Sequence, residues 1–585
     1  MKKIRIAGPP GTGKTRRLVK AYYDHIPQYS ATEIIAISHT NTAANEIRKR
    51  VLDKKSIQEY LDSENIQGEK GKELFKLVRE SKNTVKETIT TMHKCFMSRI
   101  GDEKEGKPVI FTISPHVDDY ENLKDQFPLF NKYTGSRKFY SLEMLIAGHP
   151  FFRFHSAARD NGLDTVKYYL TLDFPEKESY EYLVEELQEL EKNYKDFKTT
   201  KKMNDRAERL LDFQDMIEHF TNSEKIKSED LGIKILIVDE AQDSSVIQEA
   251  AEEKMAAAVD IFYKAGDPDQ SLFGFAGANP DAFHKEFAHP EEELKEGFRC
   301  PRVINEYCKD IIRPLWIHYE YAGGGRVWTP RRELDKEGKP TGPIVEGEKF
   351  ELMNLEQDPN LAELTKRITQ TSETFAFTYR GNEPKEIIKY LIKTGVPFRI
   401  TDKHHKFKFQ YPTVGIKNQR NFFKLINKNE KVSAAGVKSI LKNILFEYAG
   451  KNYSKETVDE LGTGSVKYDI EWLIKHQFLS PSVRETDDFQ NISKTIKVSY
   501  LETIEIKNFI RNVTRYDPLD SLKKNPRIFL ENIHTIKGKE FDNSIVDLTI
   551  LREEEDFTKR RIKYVACSRA KKTLWIIKSR NGMTL

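Results

Sequence analysis

The sequence predicts an α/β protein built on parallel, doubly wound sheets, and three observations carry that expectation. Lys3-Ile4-Arg5-Ile6-Ala7 alternates apolar residues into a glycine loop, Gly8-Pro9-Pro10-Gly11-Thr12-Gly13-Lys14-Thr15, and Arg16-Arg17-Leu18-Val19 continues as a helix-compatible segment. Strand, glycine loop and helix in that order turn a pattern into a phosphate site. Far downstream, Ile235-Leu236-Ile237-Val238 is a run of the kind a strand buried on both faces shows, and it ends in Asp239-Glu240. At 585 residues the chain is too long for one core, and length alone suggests about three to five domains.

The first strand aims the loop, and Gly8, Gly11 and Gly13 let backbone N–H groups wrap a β-phosphate. Lys14 is placed to neutralise β- and γ-phosphate oxygens, Thr15 to hold Mg²⁺, and the N-terminus of the following helix adds its positive end. Acids at the carboxyl end of a parallel strand face the nucleotide crevice. Asp239 is therefore the second expected Mg²⁺ ligand, and Glu240 is placed to polarise an attacking water. Alone, this run is also readable as a core strand ending in a solvated turn, and the segments around it decide between the two.

Composition bounds the partners. Charged residues make up 32% of the chain but the formal net charge is only +5, so a nucleic-acid surface must be a local groove and not a basic coat. The four cysteines, Cys95, Cys300, Cys308 and Cys567, include no C-x-x-C pair, which argues against zinc, an iron-sulfur cluster or a disulfide framework. No run approaches a membrane span, and the charged start leads into a strand with no apolar signal region behind it. The expectation is a reduced, cytoplasmic protein with no membrane partner.

Further segments recur in a set order. Ile34-Ile35-Ala36-Ile37-Ser38-His39-Thr40-Asn41-Thr42-Ala43-Ala44-Asn45-Glu46-Ile47 is followed by Thr90-Thr91-Met92-His93, Asp212-Phe213-Gln214-Asp215-Met216 and Asp239-Glu240-Ala241-Gln242-Asp243. Then come Gly266-Asp267-Pro268-Asp269-Gln270-Ser271-Leu272-Phe273-Gly274-Phe275, Gly297-Phe298-Arg299-Cys300-Pro301, Ile533-His534-Thr535-Ile536-Lys537-Gly538-Lys539-Glu540-Phe541 and Tyr564-Val565-Ala566-Cys567-Ser568-Arg569-Ala570. This ordered set resembles the motifs of the UvrD/Rep/PcrA-type superfamily 1 helicases and spans nearly the whole chain. Gly-Asp-x-x-Gln followed by Ser-Leu-Phe resembles the 3′-to-5′ group.

The resemblance implies two RecA-like doubly wound parallel-sheet lobes, each with a mainly helical insertion, and a nucleotide cleft between the lobes. It implies catalytic roles for Lys14, Asp239, Glu240, Gln270, Arg299 and Arg569. Gln270 is similar to a γ-phosphate sensor, and the two arginines to those that spread charge during phosphoryl transfer. Glu540 resembles a residue near the ribose, with Phe298 and Arg16 flanking the base. Phe273 and Phe275 resemble a base-stacking pair, a contact worth about 1 to 3 kcal/mol per base. His39, Thr40, Asn41, Thr91, His93, Tyr379, Arg380 and His534 fall in segments that resemble those lining the strand path, with His39 where relatives often carry Phe.

Motif spacing predicts the organisation. The first lobe is expected over 1–98 and 211–300 with an insertion over 99–210, and the second over 301–400 and 527–585 with an insertion over 401–526. Leu183, Leu187 and Leu190 within Tyr180–Tyr194 fall at helical spacing and read as core. Gly323-Gly324-Gly325 reads as a loop inside the second lobe. Several positions depart from the family pattern. Met1 lies directly before the first strand, so an adenine-reading glutamine segment is missing and base selectivity stays open. Ala276 stands where an arginine is common, Lys539 replaces a leucine and Asn532 a threonine, and the chain ends soon after its last strand.

The expected function is an ATP-dependent 3′-to-5′ translocase on single-stranded DNA that unwinds duplex junctions or displaces bound protein. It would act as a monomer, with ATP and Mg²⁺, in replication or repair. Two alternatives stay open: a nucleic-acid-stimulated ATPase subunit of a larger defence, repair or recombination complex, and a strand-binding protein with a worn ATPase site. The intact Lys14, Asp239, Glu240, Gln270, Arg299 and Arg569 set argues against the second alternative.

Overall fold

Strands β1 (Lys2–Ala7), β2 (Ile34–Ser38), β3 (Ile89–Thr90), β4 (Ile235–Asp239), β5 (Ile261–Gly266) and β6 (Glu292–Glu293) form one all-parallel sheet in the spatial order β3-β2-β4-β5-β1-β6. Side chains alternate between its faces, so the longer strands β1, β2, β4 and β5 feed two cores. Ile4, Ile6, Ile34, Ala36, Ile235 and Ile237 meet Leu18, Val19, Tyr22, Ile47 and Val51 on one side. Ala7, Ile35, Ile37, Leu236, Val238 and Phe262 meet Phe96, Met216, Phe220, Ile247 and Met255 on the other. Each large apolar side chain buried this way contributes about 1.5–3 kcal/mol, which is why β2 and β4 carry no exposed residue.

The computed structural model describes residues 1–39, 41–99, 123–133, 149–171, 184–200, 212–224, 227–272, 274, 277–321, 325–335, 340–355, 358–379, 387, 390–391, 398–400, 421, 425, 430–441, 449–452, 454–462, 466–485, 527–533, 536–548 and 556–578. The chain forms two compact units, Met1–Glu346 with Glu555–Ser568, and Gly347–Glu554 with Arg569–Leu585. The packing boundary falls at Glu346, beyond the motif boundary at 300. The helix Arg302–His318 explains the difference: Trp316 Nε1 donates to Asp269 at 2.8 Å, and the helix packs on Phe557–Cys567 in the same unit. Gly325 likewise belongs to the first unit, with a hypothetical Cβ only 2.4 Å from the Trp316 ring.

In the first unit, the helices Pro150–Asp160 and Val184–Thr200 bury Phe151, Phe152, Leu187, Leu190 and Tyr194. Leu187 and Leu190 are core as their spacing predicts, while Tyr180 to Leu183 lie outside the described residues. These helices are tied to the helix Phe213–Asn222 by an ion network. Arg159 reaches Asp212, Asp215 and Glu218 at 3.1, 2.7 and 2.6 Å, and Lys198 reaches Asp212 and Asp215 at 2.9 and 2.6 Å. Asp212 and Asp215 also form that helix's capping box, so the acids of this motif segment are structural.

The second unit holds the all-parallel sheet β7-β14-β13-β8-β12-β9, made of β7 (Glu348–Leu352), β8 (Phe375–Tyr379), β9 (Phe398–Ile400), β12 (Ile528–Asn532), β13 (Phe541–Asp547) and β14 (Ala570–Ile577). Phe375, Phe377, Leu530, Ile545 and Trp575 pack with Leu364 and Ile368 of the helix Leu361–Gln370. The short antiparallel pair β10 (Val432–Ser433) and β11 (Lys467–Tyr468) joins the helices Ala434–Leu441, Lys455–Glu460 and Ile470–Lys475 around a separate small core. Among the described residues no helix is long and apolar enough to cross a membrane.

Candidate functional site

Because the sheet of the first unit is parallel, the loops after β1, β2, β4 and β5 all emerge at its carboxyl edge. Gly8 to Thr15, His39, Asp239-Glu240 and Asp267 to Gln270 are gathered there by topology. In the first loop Gly11 and Gly13 adopt φ of 72° and 89°, a region side chains other than glycine's avoid. A Cβ at Gly11 would lie 2.5 Å from the Cβ of Arg299, and the Phe298 N–H donates to the Gly11 carbonyl at 2.9 Å. The segment bearing Phe298 and Arg299 thus backs the loop directly. Phe298 and Arg16 both lie within 4.0 Å of a Cβ built on Gly13, so the two expected base-flanking residues sit on one side of the loop. Arg16 pairs with Glu59 at 3.5 Å.

The helix Lys14–His25 opens on Gly13 with no side-chain cap, leaving its first N–H groups to an anion. Lys14 Nζ donates to the Gly8 carbonyl at 2.6 Å, folded under the loop. Burial pushes its pKa down while Asp267, Glu240 and Asp239 oppose. Thr15 Oγ1 donates to Asp239 Oδ2 at 3.1 Å. Burial first, then Glu240, pushes Asp239 up to about 6, against Lys14 and Thr15. A hydroxyl and a carboxylate so placed suit a hard divalent cation that also keeps waters and substrate phosphates. Among the described residues no group of three or more His, Cys, Asp or Glu could hold a metal by protein alone.

Glu240 adopts φ 55°, a costly conformation for a non-glycine residue that concentrates at functional sites. Its N–H donates to Asp239 Oδ1 at 3.0 Å, and its Oε2 accepts from Gln242 Nε2 at 2.6 Å. Gln242 Oε1 in turn accepts from the Asp267 N–H at 2.9 Å, and Gln270 Nε2 donates to Asp267 Oδ2 at 2.6 Å. One amide therefore bridges the acid pair and the turn carrying Gln270. Arg299 Nη1 reaches the Ser568 carbonyl at 3.5 Å within the same unit. Arg569 and Glu540 belong to the second unit, where Arg569 is 1% exposed and its carbonyl accepts from the Phe541 N–H, and Glu540 faces Lys571 at 3.8 Å.

Of the expected strand contacts, Asn41 is exposed at the start of the helix Asn41–Leu52, Thr91 precedes the helix Met92–Arg99, and His39 Nε2 lies 3.1 Å from Ser244 Oγ. His93 is half-buried, and desolvation lowers it to about 4 against Asp212. Tyr379 departs from expectation: β8 is buried along its whole length and the ring is 2% exposed in the core, so it has no face to offer a base. Thr40, Phe273, Phe275, Arg380 and His534 lie outside the described residues.

Sequence reading passed over a buried ion cluster beneath Gln270. Arg326 Nη1 binds Asp267 Oδ1 at 2.6 Å and Asp269 Oδ2 at 3.3 Å, with all three residues nearly or fully buried. Burial opposes the Arg326 charge, but the two acids hold its pKa up, and Asp269 is raised to about 6 by burial and by Asp267. Gln242, Ser244 and Glu252 were also missed as links. The acids within Gly-Asp-x-Asp-Gln and the Lys264 inside an apolar strand were the available signals.

Residues 1–289 match the family model of the UvrD/REP helicase N-terminal domain. Among curated proteins, the chain is similar to the ATP-dependent DNA helicase Rep of Buchnera aphidicola, at 25% identity over 59% of this chain and 58% of that protein. It is also similar to the ATP-dependent DNA helicases PcrA of Staphylococcus epidermidis and Staphylococcus aureus, each at 22% identity over 99% of this chain and 82% of the relative. The match thus spans somewhat over half the length of Rep and most of PcrA.

Proposed function

We propose, from the match of residues 1–289 to the UvrD/REP helicase N-terminal domain and the similarity to the ATP-dependent DNA helicases Rep and PcrA, that this chain is an ATP-hydrolysing 3′-to-5′ translocase on single-stranded DNA that unwinds duplex junctions and displaces bound protein. The observation that carries the reading is the continuous link from Thr15 and Asp239 at 3.1 Å, through Glu240 and Gln242, to Asp267 and Gln270. An ATP site needs the first pair, and a motor needs the site tied to a segment that a strand can move.

In this reading Gly8, Gly11, Gly13 and Lys14 bind the phosphates, with Phe298 and Arg16 against the base. Lys14 exchanges its loop carbonyl for phosphate oxygens, whose negative charge favours the ammonium that burial disfavours. Thr15 and Asp239 would hold Mg²⁺, which would supply charge neutralisation at the phosphates. Glu240 orients water and accepts its proton, and Gln242 fixes the carboxylate's direction. Arg299, backed against Gly11, and Arg569 supply guanidinium groups for the developing charge. The lobes are proposed over 1–98 with 211–300 and 301–400 with 527–585, with insertions over 99–210 and 401–526. The protein is proposed to work as a monomer, with Phe273 and Phe275 stacking on bases. Unwinding of duplexes bearing a 3′ or a 5′ tail tests polarity: only the 3′-tailed duplex is expected to open with ATP, and a preference for the 5′ tail contradicts the proposal.

A further inference from the structure

Three charged or polar side chains with no place in nucleotide chemistry run in a line from the β2 loop into the core. His39 Nε2 lies 3.1 Å from Ser244 Oγ, and Ser244 Oγ donates to Glu252 Oε1 at 2.6 Å. Glu252 Oε2 has no hydrogen-bond partner among the described residues and lies 3.7 Å from Lys264 Nζ on β5. Ser244 is 1% exposed and Glu252 0%. A serine hydroxyl has a single proton. With that proton on Glu252, the contact to His39 requires Nε2–H as donor, so the imidazole, serine and carboxylate form one directional chain. At low local dielectric such a chain is stiff, and losing any member leaves a buried polar group wanting.

The chain touches three motif segments. His39 adjoins Thr40 and Asn41 at the end of β2. Ser244 lies two residues beyond Gln242, whose amide holds Glu240, and its neighbour Ser245 bridges to Ala278 just past the segment with Phe273 and Phe275. Lys264 leads along β5 into Gly266 and Asp267. Lys264 is also held by Glu286 at 2.8 Å; burial works against its charge, and Glu252 with Glu286 outweighs that. An apolar ring at 39 would pack in the same place but could not pull on Ser244.

We propose that His39 is a positioning residue that transmits strand occupancy to the ATP site through Ser244 and Glu252. The proposal rests on the helicase reading above. A base that shifts the imidazole changes the length of the His39–Ser244 bond, and Ser244 passes the change along a short turn to Gln242 and the Glu240 carboxylate. Ser244 itself is buried and meets neither strand nor nucleotide, so its substitution separates the relay from both binding events.

The test compares ATP hydrolysis with and without a poly-dT strand, and strand affinity by anisotropy, in wild type, Ser244→Ala, His39→Phe, His39→Gln and the double variant His39→Phe/Ser244→Ala. Ser244→Ala is expected to lower strand-stimulated kcat about three- to tenfold, the worth of one hydrogen bond, with basal kcat and strand Kd unchanged. His39→Phe should lower stimulated kcat to the same extent, the double variant should be no worse than either, and His39→Gln, whose amide can still donate, should recover most of it. Equal losses of basal and stimulated rates in Ser244→Ala, or full stimulation in His39→Phe, overturn the relay alone. A wild type that hydrolyses ATP without responding to any strand overturns both the function and the relay.

Discussion

Glu240 holds a left-handed backbone and a carboxylate steered by Gln242, a geometry that makes sense only for a group that must point at one place. Glu240→Gln keeps an acceptor for Gln242 but cannot take a proton. It is expected to bind ATP normally while kcat falls about 10²- to 10⁴-fold, measured by nucleotide binding alongside steady-state turnover. Lys14→Ala removes a buried cation under the loop and is expected to cost about 10²- to 10³-fold in turnover, by analogy with the loss of one preorganised donor. These residues were legible because their chemistry is local in sequence: the glycines, Lys14 and Thr15 lie within eight positions, Gly8 to Thr15. Tyr379 was misread for the same reason, since its place beside Arg380 says nothing about a strand buried on both faces.

At the scale of elements, parallel strands bring four loops to one edge, and buried charges fasten those loops to the helices behind them. Arg326 compensates Asp267 and Asp269 directly beneath Gln270. Arg326→Met leaves both acids without their cation and is expected to destabilise the fold by about 3–5 kcal/mol, read as a lower midpoint in urea. Glu252 gives a pH signature. Burial raises it from 4.5 to about 7, so the folded chain keeps a proton there that the unfolded chain has lost. Its contribution is complete below pH 4.5 and disappears as pH rises through about 7. The thermal midpoint should therefore carry a falling component over that window that is absent in Glu252→Gln; identical slopes would refute the assignment. None of these links was readable beforehand, because each joins residues far apart in sequence. Lys264 within Ile261-Phe262-Tyr263-Lys264-Ala265 and the acids of Gly266-Asp267-Pro268-Asp269-Gln270 were the local signs that buried charges needed partners.

Across the whole molecule, the sequence announced parallel sheets correctly, while packing divides the chain at Glu346, beyond the motif boundary at 300. The sheets followed from apolar runs that alternate between two faces. The boundary did not, because Trp316 and Arg326 reach back to Asp269 and Asp267 across about fifty residues and carry the segment up to Glu346 into the first unit. That arrangement places the Phe298-Arg299 segment, the helix that follows it and the Asp267 to Gln270 turn in one body with the phosphate loop. The central claim is that this body hydrolyses ATP in response to a strand. The most direct test is steady-state ATP hydrolysis by the purified chain with and without single-stranded DNA, with Lys14→Ala as the blank. The account predicts turnover that rises strongly with the strand and vanishes in the variant; hydrolysis indifferent to the strand, or retained in Lys14→Ala, would contradict it.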